Sequence, residues 1–298
     1  IITELKNHFI TISKKASEEE FITLAKFIAL AGVILPLVPK ANISAQIPIS
    51  PYHLWLAIVV VSGISYSSYL LKKFIFPDSG ILLTGLLGGI YSSTATTVIL
   101  ARKQKQGLAG PETVSAIMIA NGMMYIRILF LAFLFDTSVA KLLALPFLGM
   151  FLICYLTTVI KKNKVNQTHE AISENNTASG KNPLEFRTAA IFGLLFVLFA
   201  FITDFVQKTY GNSGITGLAY IVGITDIDPF LLNILQQNAG IGEMTVALAI
   251  INATNSNNLL KMIYAMSLSS KDIRKDIVLN FLTILFVGLL ISVLFYVQ

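Results

Sequence analysis

GILLTGLLGGIYSSTATTVILA (residues 80–101) and GITGLAYIVGITDIDPFLLNIL (residues 214–235) are two similar stretches of one chain. Both are apolar and glycine-containing, both are interrupted near the centre by polar residues, and they lie 134 positions apart. At that constant offset Gly80-Ile81 falls on Gly214-Ile215 and Gly89 on Gly223. The register continues outside the two stretches: Asn121 falls on Asn255, Arg127 on Lys261, and Phe147-Leu148 on Phe281-Leu282. A duplicated apolar segment with a polar, glycine-containing interruption points to a binding site at the interface of two structural repeats in a membrane.

The composition agrees with that class. Hydrophobic residues make up 55% of the chain and charged residues 13%, with a mean hydropathy of +0.74. A soluble domain carries about 25% charged residues. Nearly uncharged runs at 54–71, 188–205 and 277–297 reach the roughly 20 residues that cross about 30 Å of hydrocarbon. The single cysteine, Cys154, rules out an intrachain disulfide. His8, His53 and His169 are scattered, and no Cys/His cluster, phosphate-binding loop, dinucleotide fingerprint or nucleophile elbow is present. The sequence therefore offers no constellation for an enzyme and no resident cofactor, and its +6 net charge reads as a topology signal rather than as affinity for nucleic acid.

Nine apolar segments are predicted, at about 20–38, 52–71, 80–101, 113–135, 139–160, 187–206, 214–236, 244–268 and 276–297. Residues 1–19, with Ile2, Leu5, Phe9 and Ile12 at helical spacing between lysines, read as an interfacial lead-in from an upstream domain. Residues 20–51 are an extra first transmembrane helix and its loop, 52–160 the first repeat, 161–185 a polar cytoplasmic linker, and 186–298 the second repeat. If all nine segments cross, the lysines and arginines outside them divide ten against nine. If 80–101 and 214–236 instead enter and return as re-entrant hairpins, the division is sixteen against three, the bias an inserted protein shows. The expected fold is thus an all-α integral membrane protein. It has about seven transmembrane helices and two re-entrant or broken-helix hairpins, arranged as an inverted internal repeat.

The centre of the second hairpin is Gly223-Ile224-Thr225-Asp226-Ile227-Asp228-Pro229. Asp before Pro is a good helix opening, so one half-helix is expected to end near Gly223 and another to begin at Asp228. Carboxylates at bilayer depth are functional candidates by default, and Asp226 and Asp228, with Thr225, could ligate a hard cation such as Mg²⁺. The matching tip of the first hairpin offers Ser92, Ser93, Thr94 and Thr96, hydroxyls in place of carboxylates. On the following segments, Asn121 and Asn255 are candidates for orienting the tips. Arg127 lies too deep to snorkel and is expected to pair with Asp226 or Asp228; Lys261, nearer its segment's end, reads as snorkelling or as a second cation at the site.

The strings LLTGLLGGIYSSTATTVILARK, IANGMMYIRILF, KNPLEFRTA and GITDIDP together resemble the membrane domain that follows the MgtC/SapB-type domain in many bacterial inner-membrane proteins. That resemblance implies a bacterial inner-membrane location and an upstream MgtC-type domain as partner, and it brings magnesium in by neighbourhood. Homo-oligomerisation is left open by it.

The expected function is a transporter or channel for a small ion, a cation such as Mg²⁺ or H⁺ before others. Two alternatives stand beside it: a proton-coupled carrier of a small anion or zwitterion that uses Arg127, Lys261 and the half-helix N-termini, and a non-transporting membrane regulator.

Overall fold

The computed structural model describes residues 18–42, 50–76, 80–162, 186–236 and 240–297. The greater part of the expected lead-in (1–17) and of the linker (163–185) lies outside the described residues. Among the described residues every regular element is helical. That is the solution lipid requires, because a helix satisfies its own backbone hydrogen bonds.

The first helix, α1, opens with Glu18–Ile28 and continues through a π-helical turn, Ala29–Ile34, to Leu37. Then come α2 (Pro51–Leu70, extended by a π-helical turn, Leu71–Ile75), α3 (Ile81–Lys105), α4 (Thr113–Phe135) and α5 (Thr137–Lys162). The second half holds α6 (Phe186–Val222), α7 (Ile227–Gln236), α8 (Glu243–Leu268) and α9 (Lys271–Val297). Several ends are set by local chemistry. Pro51 stands in the first turn of α2, Gly107 (φ 73°) follows the end of α3, and Asp136 Oδ1 accepts from Ser138 N and Val139 N to cap α5.

Among the described residues seven helices are, by length and composition, long and apolar enough to cross a membrane: Glu20–Leu37, Pro51–Ile75, Ile81–Lys105, Thr113–Phe135, Thr137–Val159, Ala189–Val222 and Lys271–Val297. The number matches the expected count but the membership differs. Helix α3 is included by its total length although its backbone breaks at Ser92, and α8 is not included although it was expected to cross. The reason lies in α8's own residues. It carries Asn252, Asn255, Asn257, Asn258 and Lys261, and every residue from Val246 to Asn258 is buried, so its polarity faces protein instead of lipid.

Two of the long helices are not straight rods. Ser92 has an extended backbone (φ −161°, ψ 107°) inside α3. A Cβ on Gly88 would stand 2.5 Å from Thr96 Oγ1, whereas eight residues of straight helix span about 12 Å. The chain therefore folds back at Ser92, giving arms 81–91 and 93–105. In α6, Gly211 (φ 61°, ψ −150°) holds a backbone conformation that L side chains rarely adopt. A Cβ on Gly214 would stand 2.8 Å from Val206 Cγ1, again eight residues back. The segments expected at 187–206 and 214–236 are thus joined by a sharp turn. The second arm, 212–222, ends where Ile224 N bonds Ile221 O and Thr225 N bonds Val222 O, and α7 begins immediately after.

Close packing fixes both arms to their neighbours. Gly85 and Gly89 lie against the backbone of Ala116 and Ala120 on α4, and Gly223 lies against Ala253 and Ser256 on α8. Small residues permit such backbone approach between helices in lipid, where packing takes over from the hydrophobic effect. Tyr125 against Phe147 (ring centroids 5.3 Å) and Phe199 against Phe230 (6.1 Å) fill the core between the helices.

Candidate functional site

Each helix break exposes the start of a new helix and the end of an old one, and both ends need partners. At the first break Ser92 Oγ accepts from Ala95 N (3.3 Å), capping the 93–105 arm. At the second, Asp226 Oδ1 accepts from Asp228 N (3.2 Å), capping α7. The cap is therefore Asp226. The helix opens at Ile227, not at Asp228 as the Asp-Pro pair suggested, and this frees Asp228 for another task.

That task is an ion pair across the two halves of the chain. Arg127 Nη2 donates to Asp228 Oδ1 at 2.6 Å and to Oδ2 at 2.8 Å, and the two side chains are each only 10% exposed. The other end of the guanidinium turns to the first break, where Nη1 donates to Tyr91 O (3.0 Å) and Ile90 O (3.4 Å). One side chain thus holds the carbonyl end of the 81–91 arm and the carboxylate at the start of α7. The carbonyl end of the 212–222 arm has a different partner: Asn257 Nδ2 donates to Gly223 O at 3.2 Å. Thr225 Oγ1 donates to Val222 O (2.8 Å), which completes that turn.

Both breaks face one cavity of about 560 Å³. Ser92, Ser93 and Thr94 line it from the first break, Thr225, Asp226 and Asp228 from the second, and Arg127 and Asn257 from the helices that follow. Its remaining wall comes from α2 (Ile58, Val61, Ser62, Ser65) and from the early part of α6 (Ala189, Phe192, Leu195). Asp226 is open to this space while Asp228 is buried in its pair. Of the four carboxylate oxygens, three are already engaged, so the two aspartates do not form a closed cage for a metal. A hydrated cation needs only one or two carboxylates and keeps several waters.

Four of the expected site residues lie elsewhere. Thr96 is buried against Gly88 inside the first hairpin. Lys261 does not snorkel. It is fully buried, and its Nζ donates to Asn121 Oδ1 (2.8 Å) and approaches Met124 Sδ (2.9 Å), which places Lys261 and Asn121 behind a cavity wall that Met124 forms. Asn255 packs on Gly288 of α9. Asn252, Asn255 and Asn258, three apart, do not all share a partner: Asn252 and Asn255 both meet α9, at Ser292 and Gly288, while Asn258 turns to Tyr125 OH on α4. The amide that serves the site is Asn257, which sequence reading missed. Its offset partner is Met123, so the repeat gave no signal for it, and only its place beside the others in the run hinted at a polar helix.

A bundle of long apolar helices with ionised groups paired at its centre defines a multi-pass helical membrane protein. Within that class the chain belongs to the family described as a domain of unknown function (DUF4010), which matches residues 59–269. An uncharacterized protein of Aquifex aeolicus (strain VF5) is 32% identical over 200 residues, spanning 65% of this chain and 84% of the relative. The matched stretch contains both helix breaks, Arg127 and α8. No solved structure matches the chain.

Proposed function

We propose that this protein is a transporter or channel for a small ion, cation or proton before anion, with its site at the meeting of two re-entrant hairpins in an inverted repeat. The observation that carries the reading is the shared cavity. Two polar helix breaks from opposite halves of the chain line it together, and Arg127 ties them through Asp228. None of the arms (81–91, 93–105, 212–222 and 227–236) approaches the roughly 20 residues a crossing needs, which supports hairpins over single crossings. Broken backbone and ionised side chains at this depth are tolerated where they line a wet cavity.

In the inverted arrangement Lys72, Lys73, Arg102, Lys103, Lys105, Lys271, Arg274 and Lys275 gather at one end of the bundle. Gln104 supports this, since its amide bonds Ser270 through Nε2 (2.7 Å) and Oε1 (2.9 Å). By the positive-inside rule that end is cytoplasmic, and a bacterial inner membrane is the location we favour. The cavity's lining includes Ser65, seven residues before Lys72, and Ala189, two residues after Arg187, which lie toward that end of α2 and α6. Arg127 neutralises Asp228 when the site is empty. Asp226, open to the cavity, receives the arriving cation or proton. Magnesium and an upstream MgtC-type domain stay among the candidate cargo and partners on the resemblance alone.

One observation favours a second reading. The N-termini of the 93–105 arm and of α7 face the cavity beside Arg127, an arrangement that also suits a small anion. Flux in proteoliposomes separates the two, with Mg²⁺, K⁺, H⁺ and small anions tested on wild type and on Asp226→Asn. A cation flux abolished by Asp226→Asn is the expected result. An anion flux lost in Arg127→Met would favour the second reading, and no flux of any ion would favour a regulator.

A further inference from the structure

A second cavity, of about 410 Å³, lies along the 212–222 arm where it meets α8 and α9. Six of its nine lining residues carry a hydroxyl or amide: Ser213, Thr216, Tyr220, Asn252, Ser292 and Tyr296. These groups are set into otherwise apolar helices. Leu289, Leu290, Val293 and Leu294, the neighbours of Ser292 on α9, are all exposed apolar side chains. Asn252 is nearly fully buried, accepts from Ser292 Oγ at 2.6 Å and reaches Thr216 O at 3.5 Å. Thr216 Oγ1 donates to Ser213 O at 2.9 Å, which leaves the hydroxyls of Ser213, Tyr220 and Tyr296 as the groups of the recess that call for water in an apolar surround.

The first half mirrors this recess only in part. At the constant offset Thr216, Tyr220 and Asn252 fall on Leu82, Leu86 and Met118, all apolar. Ser292 falls on Thr158, whose hydroxyl is occupied by the carbonyls of Ser115 (3.3 Å) and Cys154 (3.1 Å). Ser213 and Tyr296 fall on Ser79 and Lys162, also polar, so the two halves differ at Thr216, Tyr220 and Asn252.

Its place relative to the first cavity is equally informative. Asn252 lines the second cavity and Asn257 the first, five residues and about 7.5 Å of helix rise apart on α8. Between them Ser256 Oγ donates to Tyr220 O at 2.6 Å. Tyr220 itself lines the second cavity, and three residues later Gly223 O is held by Asn257. A single turn of the 212–222 arm, pinned by Ser256 and Asn257, is the septum between the two spaces.

We infer that the second cavity is the other mouth of the ion path, a hydrated vestibule for a small inorganic ion on the face of the membrane opposite the first cavity's opening. This rests on the transport reading above. The turn between Tyr220 and Gly223 is the barrier that must shift for an ion to pass from one cavity to the other.

Cysteine accessibility tests it in the full chain in lipid vesicles, with Cys154→Ala as background because the buried Cys154 is the chain's single cysteine. Thr216→Cys and Ser213→Cys probe the second cavity, Ser65→Cys the first, and Leu290→Cys is a lipid-facing control. A membrane-impermeant cationic methanethiosulfonate reagent is expected to modify Thr216→Cys at least about tenfold faster than Leu290→Cys, because only a wetted thiol ionises and reacts. It should do so from the Lys208 side, while Ser65→Cys reacts from the other side.

Thr216→Cys and Ser213→Cys both as slow as Leu290→Cys would overturn the proposal. So would modification of Thr216→Cys from the same side as Ser65→Cys, or in detergent-dispersed monomer but not in the bilayer, where a second copy would cover the recess. Labelling reads hydration and sidedness without reference to flux. A failed transport reading therefore appears in the proteoliposome assay, and a failed vestibule appears here.

Discussion

At the first helix break Ser92 caps the arm that follows; at the second, 134 residues later in the same register, Asp226 does the same for α7. The backbone task is shared and the charge is not. Ser92, Ser93 and Thr94 give the first break hydroxyls alone, while Asp226 and Asp228 give the second two carboxylates. The residues at the Arg127 position diverge in parallel. Arg127 spans both breaks, whereas Lys261 is withdrawn behind Met124 against Asn121. The two breaks thus share a backbone task while their charge is one-sided, with the anionic groups at one break and the cation that neutralises them on the helix after the other.

Removing the two cations in turn separates the two positions most strongly. Arg127→Met leaves Asp228 buried without its partner, and losing one member of a buried pair costs about 3–5 kcal/mol. A large fall in melting temperature of the detergent-purified protein is expected, and Arg127→Met with Asp228→Leu should recover most of it. Lys261→Met is expected to cost far less, because its partners are a neutral amide and a thioether. If both substitutions destabilise equally, the two positions are not the opposites the geometry makes them.

Next in size is the shared scaffold. Gly89→Ala would push a methyl into the backbone of Ala120, and Gly223→Ala would do so against Ala253 and Ser256. Overpacking of this kind costs typically about 1–3 kcal/mol, and the two should fall in the same range by thermal unfolding. Gly217→Ala, with nothing within 4 Å of the new Cβ, serves as the control that should stay near wild type. A harmless Gly223→Ala beside a damaging Gly89→Ala would mean that only the first hairpin is tightly seated.

Much of this frame was legible in the sequence because it is written in composition and offset. Apolar runs announced the helices, and the recurrence of Gly89 at Gly223 marked the two places where helix backbones meet. The expectation that Arg127 would find one of the two aspartates agrees with the pair it makes with Asp228. What failed to show was anything set by the direction of a side chain. The Asp-Pro pair pointed to Asp228 as the cap, yet the turn at Thr225 starts α7 one residue earlier and gives that role to Asp226. Lys261 read as snorkelling because its distance along the helix was visible and its inward face was not. Asn257 was passed over because regular spacing favoured its neighbours, and spacing cannot say which residue meets the carbonyl of Gly223.

The smallest expected effect is also the most discriminating. Ser92→Ala and Asp226→Ala each remove a cap, and such losses cost about 1 kcal/mol. If the two breaks are structural equivalents, the shifts in melting temperature should be alike. Asp226→Asn keeps an oxygen to accept from Asp228 N and should leave stability near wild type. Its flux should nevertheless be lost, because the amide retains the cap and discards the charge. Ser92→Asn should keep both stability and flux. A fold that tolerates all four substitutions, with transport that fails only where the carboxylate is gone, would separate what the repeat shares from what its second half added. Equal flux in Asp226→Asn and Ser92→Asn would instead make the carboxylate at this break a cap and nothing more.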